Sequence, residues 1–523
     1  MRQIAGLIIL AAACGAAPSS QPAGSQPATQ PAPLAFELRF DAQVCAGPFT
    51  GRVWLMTSKR PEPRFGPDWF DTEPFCALEV RDWKPGEPLR IDAAAPVSAY
   101  PAPLARWAKS TMRVQAIMEL NVRNGRRGPQ AAGNACSAAK RVRLDPQTLG
   151  TVALKIDRVA TPPRLISDER IRLVEIESRL LTHFFGHPVK MRAAVCLPEA
   201  GASANGQRTP TVYDIPGFGG DVRNILMYRA RPPDVDEPLT YVVLDPNCPT
   251  GHHVFADSAN NGPWARALVE ELIPHLERTL PLVAEPRGRF LTGGSSGGWA
   301  SLWLQINHPD FFNGTWSCAP DPVDFHDFTG IDLYAAGVNA YRDEQGALRP
   351  VARQRGAVSI YFRDFALMER VVGPGGQIGS FEAVFSPRGA NGAPLPLFDR
   401  ESGAVDPRTV EAWRAFDISR VLRRRWAELA PKLAGKLHIF CGDADTFYLD
   451  GAVRRLEQTL RELGSDAEVR LLTGRTHFDL YRAPEVRGRY QAMLDRFRGR
   501  AHPTTRDATT QPTSQPATRR RAA

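Results

Sequence analysis

The segment RFLTGGSSGGWASLWL, Arg289 to Leu304, carries an apolar run into two glycines, two serines and two more glycines, and a Trp-rich apolar stretch follows. Either it is a flexible Gly/Ser loop, or it is a tight turn between a strand and a helix. The second reading has physical content. A serine presented at such a turn crowds the residues two positions to either side, so glycine is favoured there. The helix that follows aims backbone N–H groups at developing negative charge. This is the setting of a nucleophile elbow, G-x-S-x-G. The pattern fits twice: Ser295 lies between Gly293 and Gly297, and Ser296 between Gly294 and Gly298.

Sequence further along supplies partners. IFCGDADTF ends a strand-like run with Asp443 and Asp445, and LLTGRTHFDLY ends the next with His477. Serine, acid, histidine is the chain order of the α/β hydrolases. All three lie where strands run out into loops, the edge of an open α/β sheet at which sites are built. In this reading His477 takes the serine proton, while Asp445 fixes the imidazole tautomer and stabilises the imidazolium. IPGFGG, Ile215 to Gly220, follows an early strand. It predicts an oxyanion donor near Phe218, beside the backbone N–H of the residue after the nucleophile.

Taken together, these motifs resemble the putative-esterase branch of the α/β hydrolases, which includes enterochelin-type, feruloyl and acetyl-xylan esterases and S-formylglutathione hydrolases. The elbow of that branch usually reads G-H-S-x-G-G. The resemblance implies Ser295 as nucleophile, with Gly294 in the place of the His, and Ser296 as an oxyanion-hole N–H. It implies Asp445 in Cys441-Gly442-Asp443-Ala444-Asp445 as the acid and His477 as the base. Pro216-Gly217-Phe218-Gly219-Gly220 is similar to a His-Gly-x-Gly-Gly oxyanion loop with Pro for His. FADSANNGPW, Phe255 to Trp264, is similar to the segment that leads into the helix before the elbow. The likeness spans roughly residues 164–499. It implies no metal or redox cofactor and a small-molecule or carbohydrate ester as substrate, with carbohydrate, hydroxycinnamate and siderophore esters all open.

One departure matters. The gap from Ser295 to Asp445 is several times that from Asp445 to His477, too long for one or two crossovers of a sheet. Residues from about 321 to 426 are therefore expected to form a lid-type insertion, rich in aromatics and arginine. It either covers the pocket, as loops above this sheet edge often do, or merely adds packing. Arg363 and Arg370 within it bind an acidic or phenolic acyl group or form surface ion pairs. Asp321, just after the strand that contains Cys318, is the second candidate for the triad acid. His252-His253 and the His183/His187 pair lack a matching carboxylate cluster, so they are read as structural and no metal is expected.

The remaining chain frames this region. Its 523 residues, 43% hydrophobic, suffice for two domains. MRQIAGLIILAAACG has the short positive start, apolar run and small residues of an export signal. Cys14 follows small residues as in a bacterial lipobox; it is either lipidated, or left free or lost by ordinary cleavage near Ala13. The expected location is therefore the cell envelope, periplasm or extracellular space, with membrane attachment through lipidated Cys14 as one outcome. The organisation reads as residues 1–14 export segment, 15–33 Pro/Ala/Ser/Gln linker, 34–162 β-rich N-terminal domain, 163–500 α/β-hydrolase domain and 501–523 disordered tail. FELRFDAQV, GRVWLMTS, FCALEVRDW, MRVQAIMEL and TVALKIDRV alternate with period two and predict a β-sandwich-like domain. That domain either positions substrate or acts as a spacer. A disulfide is expected among Cys45, Cys76 and Cys136, given an oxidising compartment. Part of the formal net charge of +9 sits at Arg2 and in the tail, and no Lys/Arg run is interleaved with aromatics, so no nucleic-acid partner is expected. Two rivals remain: a prolyl-oligopeptidase-type peptidase, which would need a propeller repeat absent before Pro162, and a non-catalytic binding protein on a hydrolase scaffold.

Overall fold

A computed structural model describes residues 33–500, apart from 148, 162–164, 166 and 200–206. The export segment, nearly all of the linker and the tail lie outside the described residues.

The N-terminal strands are β1 (Ala35–Phe40), β2 (Phe49–Ser58), β3 (Phe75–Trp83), β4 (Leu89–Ile91), β5 (Ser98–Tyr100), β6 (Ser110–Met118), β7 (Ala135–Ser137), β8 (Lys140–Leu144) and β9 (Thr151–Val159). The five strands read from alternation are β1, β2, β3, β6 and β9. β4, β5 and β7 have three residues each, too few to show a period, and β8, KRVRL, alternates only over its last four. All nine form one sheet, in the order β4-β1-β9-β7-β6-β2-β3-β5 with β8 also on β6, rather than two stacked sheets. The sheet encloses its own core, to which Phe36, Leu55, Leu78, Val114 and Leu154 contribute from strands across its width. Trp54, Met56, Phe75 and Ile117 alternate with these residues and join the core of the rest of the molecule. Both faces are therefore apolar where β2, β3, β6 and β7 meet the rest of the molecule, while the second face of β9 is exposed and polar. The expected disulfide is absent, because all seven described cysteines are free. Cys76 faces the sheet's own core and Cys136 the opposite side, which leaves no geometry for a bridge between them.

The second sheet holds β10 (Ile171–Glu177), β11 (Lys190–Cys196), β12 (Thr211–Ile215), β13 (Thr240–Leu244), β14 (Arg289–Ser295), β15 (Thr315–Pro320), β16 (Leu437–Gly442) and β17 (Glu468–Leu472). Their order is β10-β11-β13-β12-β14-β15-β16-β17. β10, β11 and β13 pair antiparallel in turn; from β13 through β12 to β17 every pairing is parallel. TYVVL of β13 is buried throughout, as a parallel strand covered on both faces should be. The strand order and the helices around it are those of an α/β hydrolase.

The helices that bear on the site are α1 (Ser296–Asn307), α2 (Phe362–Val372), α3 (Gln377–Phe385), α4 (Ile418–Leu433) and α5 (Leu449–Glu462). α2 and α3 lie within the long segment between β15 and β16. The N-terminal sheet meets that segment directly: the Trp54 indole N–H donates to the Val372 carbonyl at 3.0 Å, and Arg52 reaches the carbonyls of Arg370 and Val371. These are the unsatisfied carbonyls at the end of α2, where a cation is also favoured by the helix dipole. Arg363 pairs with its neighbour Asp364 and Arg370 with exposed Glu401, so of their two readings the structure takes surface ion pairing.

At the start of β14, buried Arg289 forms a two-pronged ion pair with buried Glu277, at 2.6 and 2.8 Å. Glu277→Ala leaves the guanidinium buried without its counter-charge, with only the Phe311 carbonyl and ring beside it. It is expected to destabilise the fold by about 3–5 kcal/mol, whereas replacing both residues with apolar ones of similar volume costs far less. Urea-unfolding midpoints of the two variants measure the difference.

Candidate active site

The elbow sits between β14 and α1. Ser295 has φ 58° and ψ −125°, a conformation that costs a non-glycine residue about 1–3 kcal/mol and persists only where its surroundings impose it. Here they do. A Cβ on Gly297 would lie 1.8 Å from the Ile215 carbonyl oxygen, and one on Gly293 would lie 2.3 Å from that of Gly297. These are the glycines two residues either side of Ser295. At Gly294 the clash is with a side chain, the Tyr481 hydroxyl, at 1.9 Å. That hydroxyl fills the space where the resembling family carries a histidine. Ser295 lines the large cleft, whereas Ser296 is buried in the first turn of α1. The backbone thus takes the register centred on Ser295.

His477 and Asp445 meet beside the cleft. His477 Nδ1 lies 2.9 Å from Asp445 Oδ2, with Asp445 fully buried. The other carboxylate oxygen accepts the Phe447 N–H at 2.8 Å. Asp443, the other acid of the same turn, instead accepts the Gly474 N–H and ties the two loops together. Phe447 packs edge-on against the imidazole at 4.9 Å. With Nδ1 held by Asp445, Nε2 is the nitrogen left for chemistry.

The Ser295 hydroxyl is hydrogen-bonded elsewhere. It donates to Asp321 Oδ1 at 3.1 Å, and Ser296 donates to Asp321 Oδ2 at 2.5 Å. Asp321, the second candidate for the acid, therefore faces the serines while Asp445 faces the histidine. Burial pushes the Asp321 carboxyl above the usual range, opposed by these two hydroxyl bonds. Gln377, at the start of α3, brings its amide within 3.4 Å of both Ser296 and Asp321.

The Gly-rich loop of residues 216–220, the expected oxyanion loop, is anchored from below. Gly217 approaches so closely that an added Cβ would come within 3.1 Å of Ser295 Cβ. This places the loop that carries Phe218 against the elbow. His252 Nε2 lies 2.8 Å from the Pro216 carbonyl, and His252 Nδ1 accepts the Val254 N–H. His252 is thus a neutral donor to the loop. Its burial pushes the pKa down to about 4.

The cleft has a volume of about 1780 Å³. Ser295, His477 and Phe218 line it, with Ile360, Phe365, Gln377 and Phe381 from the long insertion. Trp69 and Phe70 of the N-terminal sheet's β2–β3 connection line it as well. The insertion and the N-terminal sheet therefore both wall the site. Among the described residues, Asp324, His326 and Asp417 come close enough together to hold a metal ion. Asp324 and Asp417 instead cap helix starts, accepting the N–H groups of His326 and Arg420.

Residues 188–325 match the family model described as putative esterase. The segment that holds the elbow is thus similar to putative esterases, and the strand order around it is that of an α/β hydrolase. Solved structures similar to this hydrolase include a fluorophosphonate-binding serine hydrolase of Staphylococcus aureus, at 13% identity over 62% of this chain and 98% of that one, TM-score 0.37. An S-formylglutathione hydrolase from Agrobacterium tumefaciens matches at 14% identity over 62% and 95%, TM-score 0.37. A ferulic acid esterase from Anaeromyces mucronatus matches at 11% identity over 64% and 92%, TM-score 0.32. No curated protein matches.

Sequence reading missed four parts of the hydrolase's site: the contact of Asp321 with both serines, Gln377, Tyr481 and the Trp69-Phe70 pair. Only Asp321 carried a local signal, its place after a strand. The others arrive through long-range packing. His252-His253 belong to the structural class expected of them, and His252 has a specific partner. His252 takes its proton near pH 6.5 when unfolded but only near pH 4 when folded. The unfolded chain then binds more protons between these values, so stability falls as pH drops from 6.5 toward 4, by about 3 kcal/mol from this residue. His252→Gln, which keeps a donor for Pro216, is expected to show a shallower loss between pH 7 and pH 4, measured by urea unfolding at each pH.

Proposed function

We propose that this protein is an exported serine esterase that cleaves carboxylic esters through an acyl-enzyme on Ser295. One observation carries the reading: His477 held through Nδ1 by buried Asp445 at 2.9 Å, in the same cleft as a serine at the strained apex of an elbow. For attack the Ser295 hydroxyl has to turn about χ1 from Asp321, to which it donates at 3.1 Å, toward His477 Nε2. His477 takes the proton as Oγ attacks the ester carbonyl. The tetrahedral oxyanion is met by the backbone N–H groups of Phe218 and Ser296, in a turn whose helix dipole favours negative charge. Protonated His477, stabilised by Asp445, gives its proton to the leaving alcohol; water then enters by the same route in reverse and frees the acid. At about 1780 Å³ the cleft exceeds the usual 300–1,000 Å³, roughly, of a small-ligand pocket. That size supports a substrate with a bulky acyl or alcohol part; carbohydrate, hydroxycinnamate and siderophore esters form the panel to try.

Ser295→Ala is expected to lower kcat on p-nitrophenyl acetate by at least about a thousandfold and to abolish labelling by a fluorophosphonate probe, whereas Ser296→Ala, which keeps its N–H, stays within about tenfold of wild type. The reverse result moves the nucleophile by one residue. Labelling of no serine favours a binding protein, and cleavage of peptides in preference to esters favours a peptidase. Export through the first fourteen residues belongs to the same proposal. Lipidation at Cys14 predicts that Cys14→Ala shifts the protein from the membrane to the soluble fraction, and an unchanged partition points to ordinary cleavage.

A further inference from the structure

We infer that the N-terminal sheet is a working part of the oxyanion hole, through Trp69 and Arg126, which hold the side chain of Phe218; the inference rests on the esterase reading of the site. Phe218 bears the large side chain of a glycine-rich loop, Gly217 to Gly220. Glycine leaves that backbone free to turn, so the direction of the Phe218 N–H depends on what fixes the residue. The anchors from the hydrolase side lie at the loop's two ends: His252 on the Pro216 carbonyl and Asn247 on the Gly220 carbonyl, both at 2.8 Å. Within the loop the Gly220 N–H donates to the Gly217 carbonyl at 2.9 Å and closes the turn; the Phe218 side chain itself is gripped from the other sheet. The Trp69 ring stacks on Phe218 at 5.8 Å with 29° between planes. The Arg126 guanidinium lies 4.8 Å from the centre of the same ring, a cation–π contact.

Each of the two is itself held. Trp69 sits in a connection tied by Asp68, whose carboxylate accepts the N–H groups of Phe70 and Asp71 and pairs with Arg60 at 2.7 Å. Arg126 lies between β6 and β7, facing Glu369 of α2 and Asp221 at the end of the oxyanion loop. Its stem packs where a Cβ on Gly375 would come, at 3.4 Å. Trp69 also meets Phe365 of the insertion edge-on at 4.9 Å, and Phe70 packs near Phe447 and Phe478, which flank His477. The pair Trp69-Phe70 thus touches the oxyanion loop, the insertion, the acid loop and the base loop. A spacer domain would have no reason to do so. Trp69 and Arg126 are positioning residues: they act through the Phe218 N–H.

Losing an oxyanion donor outright costs about a hundred- to a thousandfold in kcat; letting one wander should cost less. In the full-length protein, Arg126→Ala is expected to lower kcat on p-nitrophenyl acetate by about tenfold to a hundredfold. Its KM should stay within about twofold, because Arg126 does not line the cleft. Affinity for a trifluoromethyl ketone, which mimics the oxyanion, should fall in step with kcat/KM. Arg126→Lys keeps a cation over the ring and should restore most of the rate. Trp69→Ala should lower kcat and shift KM too, with Trp69→Phe restoring kcat. Hydrogen exchange in residues 217–221 should quicken in both alanine variants. Unchanged exchange in those residues overturns the inference whatever the activity. So does an unchanged kcat in an active enzyme, or a loss that tracks the unfolded fraction and is not recovered by the conservative variants. A wild type that hydrolyses no ester overturns the esterase reading instead, and the exchange rates still decide the clamp.

Discussion

A single carbonyl oxygen, that of Ile215, occupies the space any side chain at residue 297 would require. Ile215 ends β12, and the next three residues lead to Phe218. Gly297 lies in the first turn of α1, two residues after Ser295. This backbone contact therefore sets how near the elbow comes to the Gly-rich loop that carries Phe218, and with it, in the proposed reaction, the distance between the attacking oxygen and its donors. The strain at Ser295 is the other side of this constraint. The chain turns at a positive φ because the strand before it and the helix after it are pinned by parallel pairing on both flanks and by glycine contacts of backbone on backbone.

Much of this was legible in the sequence because each piece is local. A strand, a tight Gly/Ser turn and a helix leave their mark within sixteen residues. Asp445 and His477 each sit a few residues past an apolar run, and every strand of the hydrolase sheet was readable from such a run. The choice between Ser295 and Ser296 rested on resemblance alone, because the glycines satisfy both registers. Space favours Ser295: at Gly293 and Gly297 an added Cβ would come within 2.3 Å of a backbone oxygen, whereas at Gly298 the nearest backbone lies 2.9 Å away and at Gly294 the obstacle is the end of a side chain. Three of the four short N-terminal strands had too few residues to show alternation, and the fourth, β8, shows it over four residues only. The position of Asp321, between two serines rather than against His477, is set by the end of β15 running alongside the elbow, which no period records.

The insertion and the N-terminal sheet are the parts whose role a linear reading leaves open. Their residues converge on the cleft by different routes. α3 delivers Gln377 to Ser296 and Asp321, and the Asp68-tied loop delivers Trp69 and Phe70. Where the two additions meet, Arg52 and Trp54 of β2 satisfy the final carbonyls of α2. The parts added to the hydrolase sheet are thus bonded to each other as well as to it.

That junction has a bearing on how the chain is made. β2 is complete once residue 58 has been added, yet the carbonyls that Arg52 and Trp54 satisfy belong to residues 370–372. During synthesis some three hundred further residues must emerge before that face of the sheet finds its cover, and Trp54, Met56 and Phe75 on it are all apolar. A face of this kind, waiting on a distant segment, is what makes intermediates of large proteins prone to association. The N-terminal sheet can close around its own core early, but its outer side is finished only when most of the chain has followed, so this protein gains from any factor that shields its first half while the second is being made.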